Sequence, residues 1–286
     1  MIPTRRARPA PWAVGMCMTL MVAVSGCQPD SSPQPQATPC PVPSTVPAGT
    51  DAPADQAPGG GGLQIVDHGY TQVGGSGYSV SLGALVRNTS SRTAYRTTVA
   101  LRVLDVQGRT AVDPLNAAQL VLEIPLIGPR QQVAVGSSAG VRTDVSANGA
   151  PDKVTTFDVS LGTTRWLLAG NVASVPSITA TYRSLELDAQ QPESGSLRYA
   201  AASTSCRPLV SRGTAAVFVN PAGTVVGGAF DPATGSPRCG TAGYDEYLLA
   251  PRSIPRNIDE AKTQITPYCD LVAVGGDSKP SGGPFN

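Results

Sequence analysis

The chain has 286 residues, a formal net charge of +1, one histidine and six cysteines. Charged residues are 14% of it, against the usual quarter or so. That balance leaves no basic excess to displace counterions, which excludes a nucleic-acid binder working by charge, and one histidine excludes a multi-histidine metal centre.

Arg5, Arg6 and Arg8 make a basic start, followed by the largely apolar run Trp12 to Val24 of 13 residues. A membrane-spanning helix needs about 20 apolar residues; the shorter run suits the core of a secretory signal. The run ends in Val24-Ser25-Gly26-Cys27, which resembles the bacterial lipobox. The resemblance implies that Cys27 carries a thioether-linked lipid and becomes the mature N-terminus, with residues 1–26 removed. The chain left behind counts 18 basic and 20 acidic residues, a net of −2. Acyl chains then anchor the protein to the outside of the cytoplasmic membrane without spanning it. Arginine outnumbers lysine 18 to 3, a bias of GC-rich bacterial genomes of the actinobacterial type.

Residues 28–62 hold nine prolines in 35 positions and end in four glycines, Gly59 to Gly62. No apolar period runs through them, so residues 27–62 read as a lipidated, disordered tether favouring polyproline II. Residues 275–286 read as a disordered tail.

The remainder contains an internal repeat. Asn88-Thr89-Ser90-Ser91-Arg92 aligns with Ser203-Thr204-Ser205-Cys206-Arg207 at an offset of 115. The same offset pairs Asp105 with Asn220 and Gly108 with Gly223. Gly128-Pro129-Arg130 matches Ala250-Pro251-Arg252 at an offset of 122, which implies about seven extra residues in the second copy. Val80, Leu82, Ala84 and Val86 alternate with Ser81, Gly83, Leu85 and Arg87, the period of a strand with one face in a core. Val99, Leu101 and Val103 follow the same rule, as do Phe157, Val159 and Leu161. Asn220-Pro221-Ala222-Gly223 has the residues of a type I turn, so a hairpin into Thr224 is expected. Only Ile258 to Ile265 suggests a short helix. The fold class expected is all-β: tandem immunoglobulin-like β-sandwich domains at 63–170 and 176–274, following the tether.

The segment Gly83-Ala84-Leu85-Val86-Arg87-Asn88-Thr89-Ser90, with Leu101-Arg102-Val103-Leu104-Asp105 and the turn Ile127-Gly128-Pro129-Arg130, resembles the FxLYD domain of bacterial surface proteins. Leucine, valine and leucine stand where that motif has phenylalanine, leucine and tyrosine, so core-type residues are kept. The second copy, Ala216-Val217-Phe218-Val219-Asn220, departs further. The resemblance covers about 60 residues of each half; it implies a β-sandwich on an anchored envelope protein and brings no catalytic residues.

Cys40, Cys206, Cys239 and Cys269 remain after export and lipidation, and an exported chain favours disulfides. A Cys206–Cys239 bridge is expected, because both should sit at one end of the second sandwich; Cys239–Cys269 with Cys40–Cys206 is the other arrangement. No C-x-x-C and no nearby histidine argue for a metal, and no cofactor is implied.

Catalytic patterns are few. Gly136-Ser137-Ser138-Ala139-Gly140 matches G-x-S-x-G, but no helical pattern and no histidine follow, so it reads as a loop. His68 reads as a polar position on an edge strand. Tyr244-Asp245-Glu246-Tyr247 is the densest polar and aromatic cluster, a candidate binding surface. These readings point away from an enzyme, towards an anchored extracytoplasmic lipoprotein that binds an envelope protein or glycan or serves the envelope's structure. A ligand-binding lipoprotein of a transporter or sensor is the alternative, although the helices such a protein needs are missing.

Overall fold

A computed structural model describes residues 48–73, 77–144, 149–168, 175–205, 208–232, 239 and 244–273. The lipidation candidate Cys27 and the tail 275–286 lie outside these residues. The described elements are almost all strands: β1 (Gly49–Pro53), β2 (Leu63–Val73), β3 (Ser79–Asn88), β4 (Ala94–Asp105), β5 (Val121–Ile127), β6 (Gln132–Gly140), β7 (Thr143–Asp144), β8 (Ala150–Pro151), β9 (Val154–Leu161), β10 (Thr163–Leu167), β11 (Ile178–Leu187), β12 (Gly195–Ser203), β13 (Leu209–Val219), β14 (Val225–Asp231), β15 (Tyr244–Ala250) and β16 (Gln264–Ala273). Two short 3-10 helices, Pro114–Leu120 and Glu260–Lys262, interrupt them. The second is all that forms of the helix expected over Ile258 to Ile265.

The internal repeat is a repeat of strand pairing. β2 and β11 begin 115 residues apart, and so do β4 and β13. In the first half β2-β3-β6 make one sheet, while β4 pairs with β5 on one side and with β9 and β10 on the other. In the second half β11-β12-β15 and β14-β13-β16 repeat that arrangement.

The turns after β4 and β13 share their bonding. Gly108 N donates to Asp105 O at 3.0 Å, and Gly223 N to Asn220 O at 2.9 Å. Arg109 N donates to Asp105 Oδ1 at 2.9 Å, and Thr224 N to Asn220 Oδ1 at 3.0 Å. Both glycines sit at positive φ, 74° and 89°, where a Cβ is unfavourable. An Asp or Asn opening the turn and a Gly three residues later account for both.

The offset of 122 fails this test. Gly128-Pro129-Arg130 precedes β6, whereas Ala250 ends β15 and Pro251-Arg252 follow it. Since β6 pairs with β3 as β15 pairs with β12, the two triplets occupy different connections, and the expected seven-residue expansion does not hold. What recurs is local turn chemistry: Arg130 and Arg252 both take positive φ, 62° and 50°.

The tether expected over residues 27–62 does not run through to residue 62. Residues 49–53 pair with β10 in register Gly49↔Leu167 to Pro53↔Thr163. Ala54 and Ala57 are buried in the first-half core. Thr89 Oγ1 accepts from Gly62 N at 3.1 Å and donates to Gly62 O at 2.8 Å. Residues 48–62, expected as disordered spacer, are therefore an edge strand and its connection. Proline suits such an edge, because its missing N–H can face solvent.

The four larger sheets lie in layers, β7 and β8 pair separately, and all the described residues belong to one compact unit. The first-half core forms between the β4-centred sheet (Val99, Leu101, Ile124, Trp166) and the inner side of β2-β3-β6 (Leu63, Val80, Leu82, Val86). The second-half core lies between β11-β12-β15 (Leu197, Tyr199, Leu248) and one side of β14-β13-β16 (Ala216, Phe218, Ala229). Between these cores β2-β3-β6 packs directly on β14-β13-β16, through Leu85, Ala134, Val217, Val219 and Val225. β3 is thus covered on both faces, and the expected one-sided burial of its alternating pattern becomes two-sided.

This inner seam is made by glycines. A Cβ on Gly83 would lie 2.1 Å from Gly227 O, and one on Gly136 would lie 2.2 Å from Ala216 O. Gly69 and Gly228 meet backbone oxygens of the opposite sheet in the same way. Backbone touches backbone, which only residues without Cβ allow. Buried Ser81 crosses the seam: its Oγ donates to Gly228 O at 3.0 Å and accepts from Gly228 N at 2.9 Å.

Candidate binding surfaces

Tyr244 to Tyr247 form the first part of β15, the edge strand of the outermost second-half sheet. Their backbones face Ala201, Ala200, Tyr199 and Arg198 of β12 in register. The side chains of Tyr244, Asp245 and Glu246 lie outside the described ones. Tyr247 is half exposed, as is Leu249 two residues on. Alternation explains this: Leu248 and Ala250 point into the second core, so Tyr247 and Leu249 point out. The edge is partly closed, since Leu249 N donates to Asp231 Oδ2 at 2.9 Å.

Cys239 is joined to Cys269, with Cα atoms 5.6 Å apart. The Cys206–Cys239 bridge is therefore not formed, and Cys206 itself lies outside the described residues. The reason is strand order. Cys239 bridges to Leu209 at the start of β13, and β13 pairs with β16 in register Ser211↔Cys269. The thiol available to Cys239 is that of the neighbouring strand, not one on its own hairpin. Leu209, Cys239 and Cys269 form a small buried cluster at that corner.

The G-x-S-x-G match is a strand rather than the expected loop: all five residues lie in β6. Gly136 is a seam glycine, and Ser137 Oγ donates to Gln119 O at 2.7 Å. Ser137, at the first variable position, is a structural donor, while the motif's own serine, Ser138, faces Ser81 of β3 in register. His68 lies on the edge strand β2, its ring 5.7 Å from that of Phe157. Among the described residues no three His, Cys, Asp or Glu side chains come together as metal ligands would.

Sequence reasoning missed a charged cluster that joins the two halves. Asp270 on β16 is buried and accepts from Tyr95 Oη at 2.6 Å, Arg96 Nη2 at 3.0 Å and Arg212 Nη2 at 2.9 Å. Tyr95 and Arg96 come from the first half, Arg212 and Asp270 from the second. Burial opposes the charged form of Asp270, but the Tyr95 and Arg212 hydrogen bonds and the two guanidinium charges outweigh it and hold its pKa below the ordinary 3.8. Burial, with the Asp270 charge, pushes the Tyr95 hydroxyl up. No local signal marks the cluster, because its members are 174 and 175 residues apart.

A cleft of about 320 Å³ opens where the halves meet. Its walls are the start of β6 with the residue before it (Gln131, Gln132), the start of β11 (Ile178, Thr179, Ala180) and the segment running into β16 (Thr263 to Pro267). Three sheets supply these walls, so the cleft exists only when the halves pack together. None of its lining residues is ionisable. Its polar groups are amides and hydroxyls, and Ile178, Ala180, Ile265 and Pro267 add apolar surface.

Comparison of the chain with protein-family models, with curated proteins and with solved structures gave no match.

Proposed function

We propose that the chain is a membrane-anchored extracytoplasmic lipoprotein, in which paired immunoglobulin-like, FxLYD-like sandwiches act as a non-enzymatic binding module of the cell envelope. The observation that carries the reading is the order of the N-terminal features: three arginines, a 13-residue apolar run, then Val24-Ser25-Gly26-Cys27. A thiol at that position is what lipid attachment requires, and two or more acyl chains hold a protein stably on a bilayer. The Pro-rich residues between Cys27 and β1 act as the spacer. A stack of sheets fused through a glycine seam supports a rigid head on that spacer, presenting its outer faces and its seam cleft to a partner.

The test is labelling with a palmitate analogue in a bacterial host with lipoprotein processing. The native chain is expected to take up label and to fractionate with membranes; Cys27→Ala is expected to do neither. Equal labelling of the two would refute the anchor.

A further inference from the structure

The seam cleft combines three properties that narrow its ligand. It is uncharged, so a charged ligand would lose hydration there without gaining a counter-charge. It carries amides and hydroxyls on several sides. It also has a small aliphatic surface, from Ile178, Ala180, Ile265 and Pro267.

The polar groups are held at one end and unengaged at the other. Gln132 accepts from Arg87 Nη2 at 2.8 Å and donates to Gln264 Oε1 at 2.9 Å. This fixes the Gln264 amide and leaves its nitrogen without an acceptor among the described residues. Gln131 Oε1 accepts from Gly128 N at 2.7 Å, which leaves its own amide nitrogen to donate. Thr266 Oγ1 accepts from Ala134 N at 2.8 Å, so its hydroxyl proton remains to be given. Thr263 also lines the cleft, but its hydroxyl oxygen is buried beneath the surface and is not among the groups offered to a ligand. Thr179, exposed at the rim, is unengaged. Side chains held by other bonds lose little freedom when a ligand binds.

We propose that this cleft binds a neutral saccharide. Ring hydroxyls both accept and donate, matching donor amides interleaved with hydroxyls, and the C–H face of a pyranose suits the aliphatic surface. The volume is at the small end of ligand sites and takes about one or two sugar rings. The inference rests on the reading of the chain as an envelope binding module, but the two fail separately: labelling at Cys27 tests the anchor, and sugar binding tests the cleft.

The experiment is titration of the full chain in detergent with maltotriose, mannotriose and chitotriose, beside glucuronate and trialanine. Saturable binding of at least one trisaccharide is expected, with a Kd on the order of 1 mM or tighter. Gln264→Ala should weaken it about tenfold. Thr179→Arg, which sets a long cation across the rim, should abolish it, and Leu115→Ala on the exposed 3-10 helix of the first half should leave it unchanged. Should either cleft variant fail to fold, side-chain amide NMR signals of Gln131 and Gln264 in the native chain give the same answer, shifting on addition of the sugar. The proposal is overturned if no trisaccharide saturates the chain at about 10 mM. Equal affinity in folded cleft variants, unmoved amide signals, or tighter binding of glucuronate or trialanine would overturn it too.

Discussion

Gly83→Ala tests whether the two halves are fused through backbone contact. The added Cβ would lie 2.1 Å from Gly227 O, 2.6 Å from Gly227 C and 3.1 Å from Val225 Cγ1. Ordinary contact begins near 3.4 Å, so the sheets must part by roughly 1 Å. Such a gap removes between a quarter and a half of each dispersion contact across it, on the order of 0.05 kcal/mol per atom pair. It also strains the two Ser81–Gly228 hydrogen bonds, which are now 3.0 and 2.9 Å and contribute about 1 kcal/mol each. Lower unfolded-state entropy returns about 0.4–1 kcal/mol. The expected net loss is about 1–3 kcal/mol, the usual cost of overpacking. Urea unfolding of the full chain should read it as a lower midpoint. Gly136→Ala, where Ala216 O and Ala229 O stand at 2.2 and 2.4 Å, should behave alike. Gly162→Ala is the control, because its Cβ would meet nothing nearer than 3.4 Å and should cost no more than about 0.5 kcal/mol. If both seam variants unfold with the native chain, the backbone-to-backbone seam is wrong.

Asp270→Asn should cost about 3 kcal/mol, since it leaves Arg96 and Arg212 without their carboxylate. The native pKa of Asp270 is depressed, so its stabilisation is full above the unfolded value of 3.8 and is lost as pH falls through the lower folded value. The fall in melting temperature below pH 3.8 should therefore be steeper in the native chain than in the variant, and parallel acid profiles would reject the role. The Cys239–Cys269 bridge closes a loop with a sequence separation of 30, worth about 3–4 kcal/mol in the chain-entropy model. Because one unit contains both halves, Cys269→Ser should lower a single unfolding transition rather than one of two, as calorimetry will show. A non-reducing peptide map of the exported chain should contain Cys239 joined to Cys269 and the remaining pair, Cys40 and Cys206, joined to each other; a Cys206–Cys239 peptide would refute this pairing.

Much of the strand content was legible because strand periodicity is local. Val80 to Val86 and Val99 to Val103 show which residues share a face, and Asp105 with Gly108 and Asn220 with Gly223 write the same turn twice. The offset of 115 accordingly fell on β4 and β13 and on the turns that follow them. Periodicity does not say what covers a face. Gly83 and Ser81 look like the solvent side of their strand, and Gly136 like part of a loop, until the second half is laid against them, and there their smallness is what lets two backbones touch. The tether's end misled for a related reason: Pro53 and Gly59 to Gly62 resemble spacer in composition, while β1 owes its order to pairing with β10, more than 100 residues away. The disulfide partner depended on β13 lying beside β16, and the Asp270 cluster and the seam cleft depended on residues from both halves meeting. Each is a contact between distant parts of the chain, whose closure entropy is offset only when the sheets pack together. The amino-acid sequence therefore determined the strands, turns and repeat, and the tertiary structure alone decided which faces, thiols and charges meet.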